Sequence, residues 1–373
     1  MEEIIVGNVE ELCDKVKGKV VYIYGAKSVA LRVWKTLELS KNGGTEVVGF
    51  LVSNRYDNPK EIYGKNVYRI EEENKHFDCV ILAVNGGILW RVRDEIEQYD
   101  IDRLILISPL MDDMFEKTAN SVLNKNCKIS DKAYIDNNVQ IVADETSIIE
   151  IDDNVIIGEK TILIAIEHSH IHIGERSCIG CSVKIIAENG SFVNLYERTS
   201  IGENSELLAE KNSVIRLSRE CSIGKKISIS SQNTSIIQIS NICVVGDYGK
   251  IGLNKGRVLI GEGTTFGTNL YLVCEYSDVI IGKECMFSYY VKINVGSHQI
   301  IDKSTEENIT NRNAIRIGNH VWCGMGCIIL PGCDVGEGCV VGAASVVNKV
   351  ILPDCTCAGS PIRILRKNIE WKR

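Results

Sequence analysis

The sequence predicts two domains of different class: a small α/β parallel sheet at the N-terminus, then an all-β parallel β-helix of about ten coils. Three observations predict it. Strand-like and helix-like runs alternate over about the first 110 residues. Beyond residue 126 an aliphatic side chain recurs every six positions, and groups of three such steps recur every 22.

The first domain is read over 1–110. "KVVYIYG" (19–25) is a buried strand run ending in glycine, and the helical stretch "AKSVALRVWKTLELSKNGG" follows it. Apolar runs recur at "EVVGFLV" (46–52), "DCVILAV" (78–84) and "DRLILIS" (102–108), which makes the domain Rossmann-like; a helical linker is expected over 111–125. The first turn, Gly25-Ala26-Lys27-Ser28-Val29-Ala30, stands where a dinucleotide fingerprint would. Lys27 replaces its second glycine, and Ser53 stands where an NAD site wants an acid, so NAD is disfavoured. A mononucleotide or sugar nucleotide at this helix N-terminus, or a purely structural domain, stays open.

The second domain is expected over 126–364, with 365–373 as a tail. Ile173, Ile179 and Ile185 make one triplet; Leu195, Ile201, Leu207 and Leu217, Ile223, Ile229 make the next two. Triplets begin 22 apart at Ile129, Ile151, Ile173, Leu195, Leu217 and Ile239, then 21 apart to Ile260 and Ile281. Three six-residue steps make a triangular coil whose inward aliphatics stack on the next coil. The four or so extra residues form a polar corner: "ENGS" (188–191), "EKNS" (210–213), "SQNTS" (231–235), "NKGR" (254–257) and "EYSD" (275–278). The extras vanish after Ile317, since Ile317, Val335 and Pro353 are 18 apart. At a strand spacing of ~4.8 Å the rod is on the order of 45–50 Å long.

Four residues after each leading aliphatic comes a small side chain: Ser177, Thr199, Cys221, Cys243, Thr264, Cys285 and Val321, then Cys327, Cys333 and Cys339. Most of the fifteen cysteines are therefore expected as reduced packing residues. Cys178-Ile-Gly-Cys181 has no second pair to complete a zinc site. In "EHSHIHIG", His168, His170 and His172 are read as sharing an outward strand face without converging, so no metal is expected.

A net charge of −7 argues against nucleic acid as a partner. No run of 18 apolar residues occurs, and "MEEIIVGNVEELCDK" lacks signal-peptide grammar, so a cytoplasmic chain with no integral membrane segment is expected.

The rhythm breaks once. From Ile281 to Ile317 is 36 residues, a 21-residue coil plus an insertion of 15, filled by "NVGSHQIIDKSTEENITNRNA" (294–314) with His298 near its start. An imidazole, with an ordinary pKa near 6.5, suits proton removal at neutral pH and is worth ~10²–10⁴ in rate.

The stretch 315–371, through "IGNHVWCG", "VVGAASVV" and "AGSPIRILRKN", resembles the closing coils of the hexapeptide-repeat acetyltransferases that acetylate sugars from acetyl-CoA. It departs from their usual pattern at Cys323, where an aliphatic is usual, and in "GAAS" for the commoner GAGS. The resemblance implies a left-handed helix, a homotrimer, and His298 as general base. It implies an acceptor held by Asn269, Tyr290 and Asp302, with Asp302 or Glu306 also able to orient the imidazole. For the coenzyme it implies Trp322, Gly324, Gly342, Ala343, Ala344 and Ser345 along the pantetheine arm, and Lys349, Arg363, Arg366 and Lys367 on the phosphates. The two-domain order resembles that of sialic-acid O-acetyltransferases and UDP-sugar N-acetyltransferases, where the first domain helps hold a sugar nucleotide. The function implied is acetyl transfer to a sugar hydroxyl in surface or capsular polysaccharide assembly. N-acetylation of a UDP-amino sugar is the near alternative, and a non-catalytic β-helix binding module the alternative of another class.

Overall fold

The computed structural model describes the chain outside residues 7–8, 26–29, 31–32, 35–36, 38–43, 54–59, 63–64, 74–75, 85, 108–125, 137 and 297. The expected helical linker and residues 26–29 of the first turn thus lie outside the described residues. The chain divides into two units, Met1–Thr118 and Ala119–Arg373.

The first unit holds a seven-stranded sheet: β1 (Glu2–Val6), β2 (Val20–Tyr24), β3 (Glu46–Val52), β4 (Glu61–Ile62), β5 (Lys65–Arg69), β6 (Phe77–Leu82) and β7 (Ile101–Ile107). Their order is β1-β7-β6-β2-β3-β5-β4, and only the β4–β5 pair is antiparallel. The four apolar runs read from the sequence are β2, β3, β6 and β7. Interior strands of a parallel sheet are covered on both faces, which demands such runs, and Val21, Ile23, Phe50, Ile81 and Ile105 are buried in one core. β1 escapes that reading because it is an edge strand carrying charge. Its Glu2 and Glu3 accept hydrogen bonds from Arg103 at 2.8 Å and Arg93 at 2.7 Å. Helix α1 (Val9–Val16) lies between β1 and β2 in sequence and helix α2 (Gly86–Ile96) between β6 and β7, and Ala30, Val33, Trp34 and Leu37 are helical within the expected first crossover.

The second unit is a parallel β-solenoid. One coil reads His170–Ile173, Cys178–Ile179, Lys184–Glu188, and each strand pairs in parallel with its equivalent 22 residues on: Ile171 with Val193, Ile179 with Ile201, Ile185 with Leu207. The stacked aliphatics form one continuous core. Corners turn through single residues in the left-handed backbone region, among them Arg176, Ser182 and Asn189. The ten coils expected are too few. One side alone stacks into a 12-stranded sheet, whose last member, Arg363–Lys367, runs antiparallel to Cys355–Ala358.

The shorter 21-residue coils have a cause in the backbone. Lys250–Ile260 and Tyr271–Ile281 are each one 11-residue strand running through the corner that other coils turn with extra residues. The two strands stay paired across it, Asn254 with Glu275 and Gly256 with Ser277.

The small-residue slot does more than pack. Ser177, Cys221, Cys243, Thr264, Cys285 and Cys327 each donate to a backbone carbonyl of the next coil, at 2.8–3.2 Å, while the Thr199 hydroxyl donates to Tyr196 O at 2.7 Å. A thiol substitutes for a hydroxyl here as a buried donor; Val321, equally buried, has none to give. Burial pushes the thiols of Cys221 and Cys357 up to about 12, and those of Cys243 and Cys285 up to about 11. Thiolate is the reactive form. A thiol reagent at pH 8 is therefore expected to label at most Cys13, Cys127 and Cys181 in the native protein, the half-buried three, and all fifteen after denaturation. Rapid native labelling of more than three would contradict this packing.

His168 departs from the expected strand face: it sits at a corner with φ 64°, and only His170 and His172 lie on the strand. Those two contact carboxylates, Glu150 and Asp152, each at 3.0 Å. Among the described residues no helix is long and apolar enough to cross a membrane.

Candidate functional site: two edges of the solenoid

Strand Lys292–Val295 ends at Gly296, where the chain leaves the solenoid. Gly296 has φ 126°, and a Cβ there would lie 2.7 Å from that of Glu275, so glycine is what lets the chain leave. His298 follows at once and is exposed; among the described residues no hydrogen-bond partner fixes its ring.

The insertion is ordered around itself. Ile301 and Asn308 form an antiparallel bridge, and Ile309 N donates to Ile300 O at 2.8 Å. Asp302 Oδ1 accepts from the Ser304 hydroxyl and from the Ser304 and Thr305 backbone at 2.7 and 3.3 Å. These donors, the Ser304 hydroxyl foremost, hold the carboxyl below its ordinary pKa. One oxygen of Asp302 is thereby committed to the loop's own turn. The return limb is pinned to the solenoid: Asn311 Nδ2 donates to Pro331 O at 3.1 Å, and Gly332 N to Asn313 O at 3.0 Å.

Asn269 and Tyr290 sit elsewhere, stacked at the corner preceding the Lys292–Val295 side, each with positive φ. Asn269 N donates to Asp247 O at 2.8 Å and Tyr290 N to Thr268 O at 3.0 Å. The same column continues through Gly326 N to Tyr289 O at 2.9 Å and Ala344 N to Met325 O at 2.8 Å. The fold thus gathers Asn269, Tyr290, Gly324, Gly342, Ala343, Ala344 and Ser345 on one edge. Arg363 flanks it, since its strand partner Ala358 lies against Gly342.

The sequence did not show why these residues are small. A Cβ on Gly324 would lie 2.6 Å from Ala343 N, and one on Gly342 would lie 2.9 Å from the Ala358 Cβ. Both glycines are set by coil stacking. Ser345 is buried, its hydroxyl donating to Gly342 O at 2.6 Å and accepting from Gly359 N at 3.0 Å. Ala343 and Ala344 are exposed, so the backbone of this edge can be approached closely. Arg363 and Arg366 are exposed cations on the closing strand.

His298, Asp302 and Lys349 belong to the other edge. Lys349 follows Val347, whose carbonyl accepts from Leu330 N at 3.0 Å, on the edge where the insertion is pinned. One four-residue side, roughly 13 Å of strand, separates the two edges. Reacting atoms must approach to about 3–3.5 Å. A single chain therefore does not unite the Asn269 edge with His298.

Trp322 lies on the third side, and the tail explains its surroundings. Trp371 stacks on His320 with ring centroids 4.0 Å apart and reaches Trp322 at 5.8 Å. Trp371 Nε1 donates to His320 O at 2.9 Å, and Arg373 donates to Gly263 O and Thr265 Oγ1 at 3.0 and 2.9 Å. The tail runs back along the coils, a role that five aromatic or cationic residues in a nine-residue terminus could have signalled. Two recesses of the solenoid lie elsewhere, one lined by Lys128, Glu150 and Asp152 and the other by His172, Tyr196 and Arg219.

No family model matches the chain. A polysialic acid O-acetyltransferase of Escherichia coli O1:K1 / APEC is 38% identical over 127 residues, 34% of this chain and 41% of that one. A galactoside O-acetyltransferase of Escherichia coli K12 is 33% identical over 108 residues, 29% of this chain and 53% of its own length. The chain thus spans about half or less of the length of these curated relatives. A solved polysialic acid O-acetyltransferase is 25% identical, with a TM-score of 0.31, over 65% of this chain and 90% of that one. Over roughly a third of its length, the chain is a homologue of polysialic acid and galactoside O-acetyltransferases.

Proposed function

We propose that this protein moves an acetyl group from acetyl-CoA to a sugar hydroxyl, in surface or capsular polysaccharide assembly in the cytoplasm. The observation that carries the reading is His298, exposed at the mouth of the insertion and, among the described residues, without a hydrogen-bond partner, in a chain homologous to sugar O-acetyltransferases.

The exposed Ala343–Ala344 backbone, with Arg363 and Arg366 beside it, fits a narrow pantetheine arm and its phosphates. Acetyl-CoA supplies the thioester. His298 accepts the hydroxyl proton as the oxygen bonds to the thioester carbonyl; the C–S bond breaks, and the imidazolium returns the proton to the departing sulfur. Asn269 and Tyr290 hold the acceptor. Since one chain keeps the two edges a strand apart, a neighbouring copy brings the Asn269 edge against His298, which supports the homotrimer.

The first unit supports a sugar-nucleotide role for a stated reason. Taken in chain order, β2, β3, β5, β6 and β7 lie as 3-2-1-4-5, the order of a doubly wound nucleotide-binding sheet. That feature favours the second reading, in which the acceptor is the amine of a UDP-amino sugar.

Calorimetric titration with acetyl-CoA is the test that needs no acceptor. Saturable binding with one site per chain is expected, and no binding at millimolar coenzyme would leave the non-catalytic solenoid as the reading. Transfer assays with hydroxyl and amine acceptors then separate the first two.

A further inference from the structure

The polar ridge at the solenoid's corner carries Asn189, Lys211, Asn233 and Lys255 at successive coils, all with positive φ, and then Tyr276 with φ 56°. Tyr276 thus ends the ridge with an aromatic ring, which makes a contact there. The contact is with the insertion. Arg312, on the return limb, has its guanidinium carbon 5.0 Å from the Tyr276 ring centroid, and Lys255 Nζ lies 5.2 Å from the same ring. Next to it, Ser277 Oγ donates to Arg312 O at 2.7 Å across 35 residues of chain. The last strand pair before the insertion is Cys274 with Val295; three residues further along each chain stand Ser277 and His298. The departing limb thus leaves from the strand paired with the one whose continuation, Tyr276 and Ser277, holds the return limb.

We propose that Tyr276 is a positioning residue for His298: its ring grips the guanidinium of Arg312 and, with Ser277, ties the insertion to the ridge so that the imidazole keeps one place. The assignment rests on the reading of His298 as the base. Cations over an aromatic face are held by the ring quadrupole, so Phe replaces Tyr in this role and Leu does not. The bond from Ser277 survives either change.

The experiment uses the full chain and compares Tyr276→Leu, Tyr276→Phe and His298→Ala by hydrogen exchange over 298–313 and by steady-state kinetics. Tyr276→Leu is expected to speed exchange in that segment and lower kcat about 10–100-fold, with KM for acetyl-CoA and melting unchanged. Tyr276→Phe is expected to match the parent in both. Unaltered exchange in Tyr276→Leu overturns the grip whatever the kinetics. Faster exchange with full turnover, while His298→Ala is inactive, overturns the positioning role. Full turnover in His298→Ala sinks the base reading and with it the positioning role, while the exchange data still decide whether Tyr276 holds the loop.

Discussion

His298→Ala is expected to lower kcat for acetyl transfer by about 10²–10⁴ while the protein melts as before. The two halves of that expectation have separate grounds. The loss of rate follows from removing the acceptor of the hydroxyl proton at the step where the oxygen attacks. The unchanged melting follows from surroundings: His298 is exposed and, among the described residues, has no hydrogen-bond partner to lose. The KM for acetyl-CoA should hold as well, because the groups proposed to hold the coenzyme, the Ala343–Ala344 backbone with Arg363 and Arg366, do not include the imidazole. Turnover within tenfold of the parent would remove His298 as the base. A fall in melting temperature alongside lost turnover would mean that the imidazole supports the loop.

Gly256→Ala is expected to destabilise the solenoid by on the order of 4 kcal/mol, at the upper end for single substitutions. Gly256 has φ 155°, and a Cβ there would overlap the Ser277 carbonyl oxygen, which is backbone and has nowhere to go. The paired 11-residue strands are fixed on both sides, so relief would require parting Asn254 from Glu275. Gly263→Ala is the control: its φ is 69°, but the nearest atom to a new Cβ would be Glu284 Cγ at 3.6 Å. There only backbone strain remains, about 1–2 kcal/mol. Denaturant unfolding of the two variants checks the contrast, and equal stabilities would mean that the strands separate freely at this corner.

The solenoid was legible because its physics is periodic. Ile173, Ile179 and Ile185 are inward because a coil has three sides, and the next coil repeats the demand 22 residues later. The insertion was legible as a failure of that rhythm. What escaped were contacts without periodicity. Nothing in "EYSD" indicates that Tyr276 meets Arg312, 36 residues on, because the encounter depends on how a loop returns. The glycines of the closing coils were legible as small but not as stacked, since the atoms that exclude a Cβ belong to the following coil. Strand β1 was missed because Glu2 and Glu3 mask an edge strand as a polar terminus. The separation of Asn269 from His298 was hidden for a different reason: a spacing of 29 residues is one 21-residue coil plus eight, and only the strand Lys292–Val295 shows that those eight carry the chain to the next corner.

The reversed strand Arg363–Lys367 also decides what happens at the end of the rod. A parallel stack is open at its last coil, where unpaired backbone would accept a strand from any other molecule as readily as its own. Here the chain doubles back, fills part of that position against Cys355–Ala358 in the antiparallel sense, and turns Arg363, Arg366 and Lys367 to solvent. A second rod approaching end-on along that side meets three like charges on the edge strand. End-on strand addition along that side is thereby disfavoured by charge.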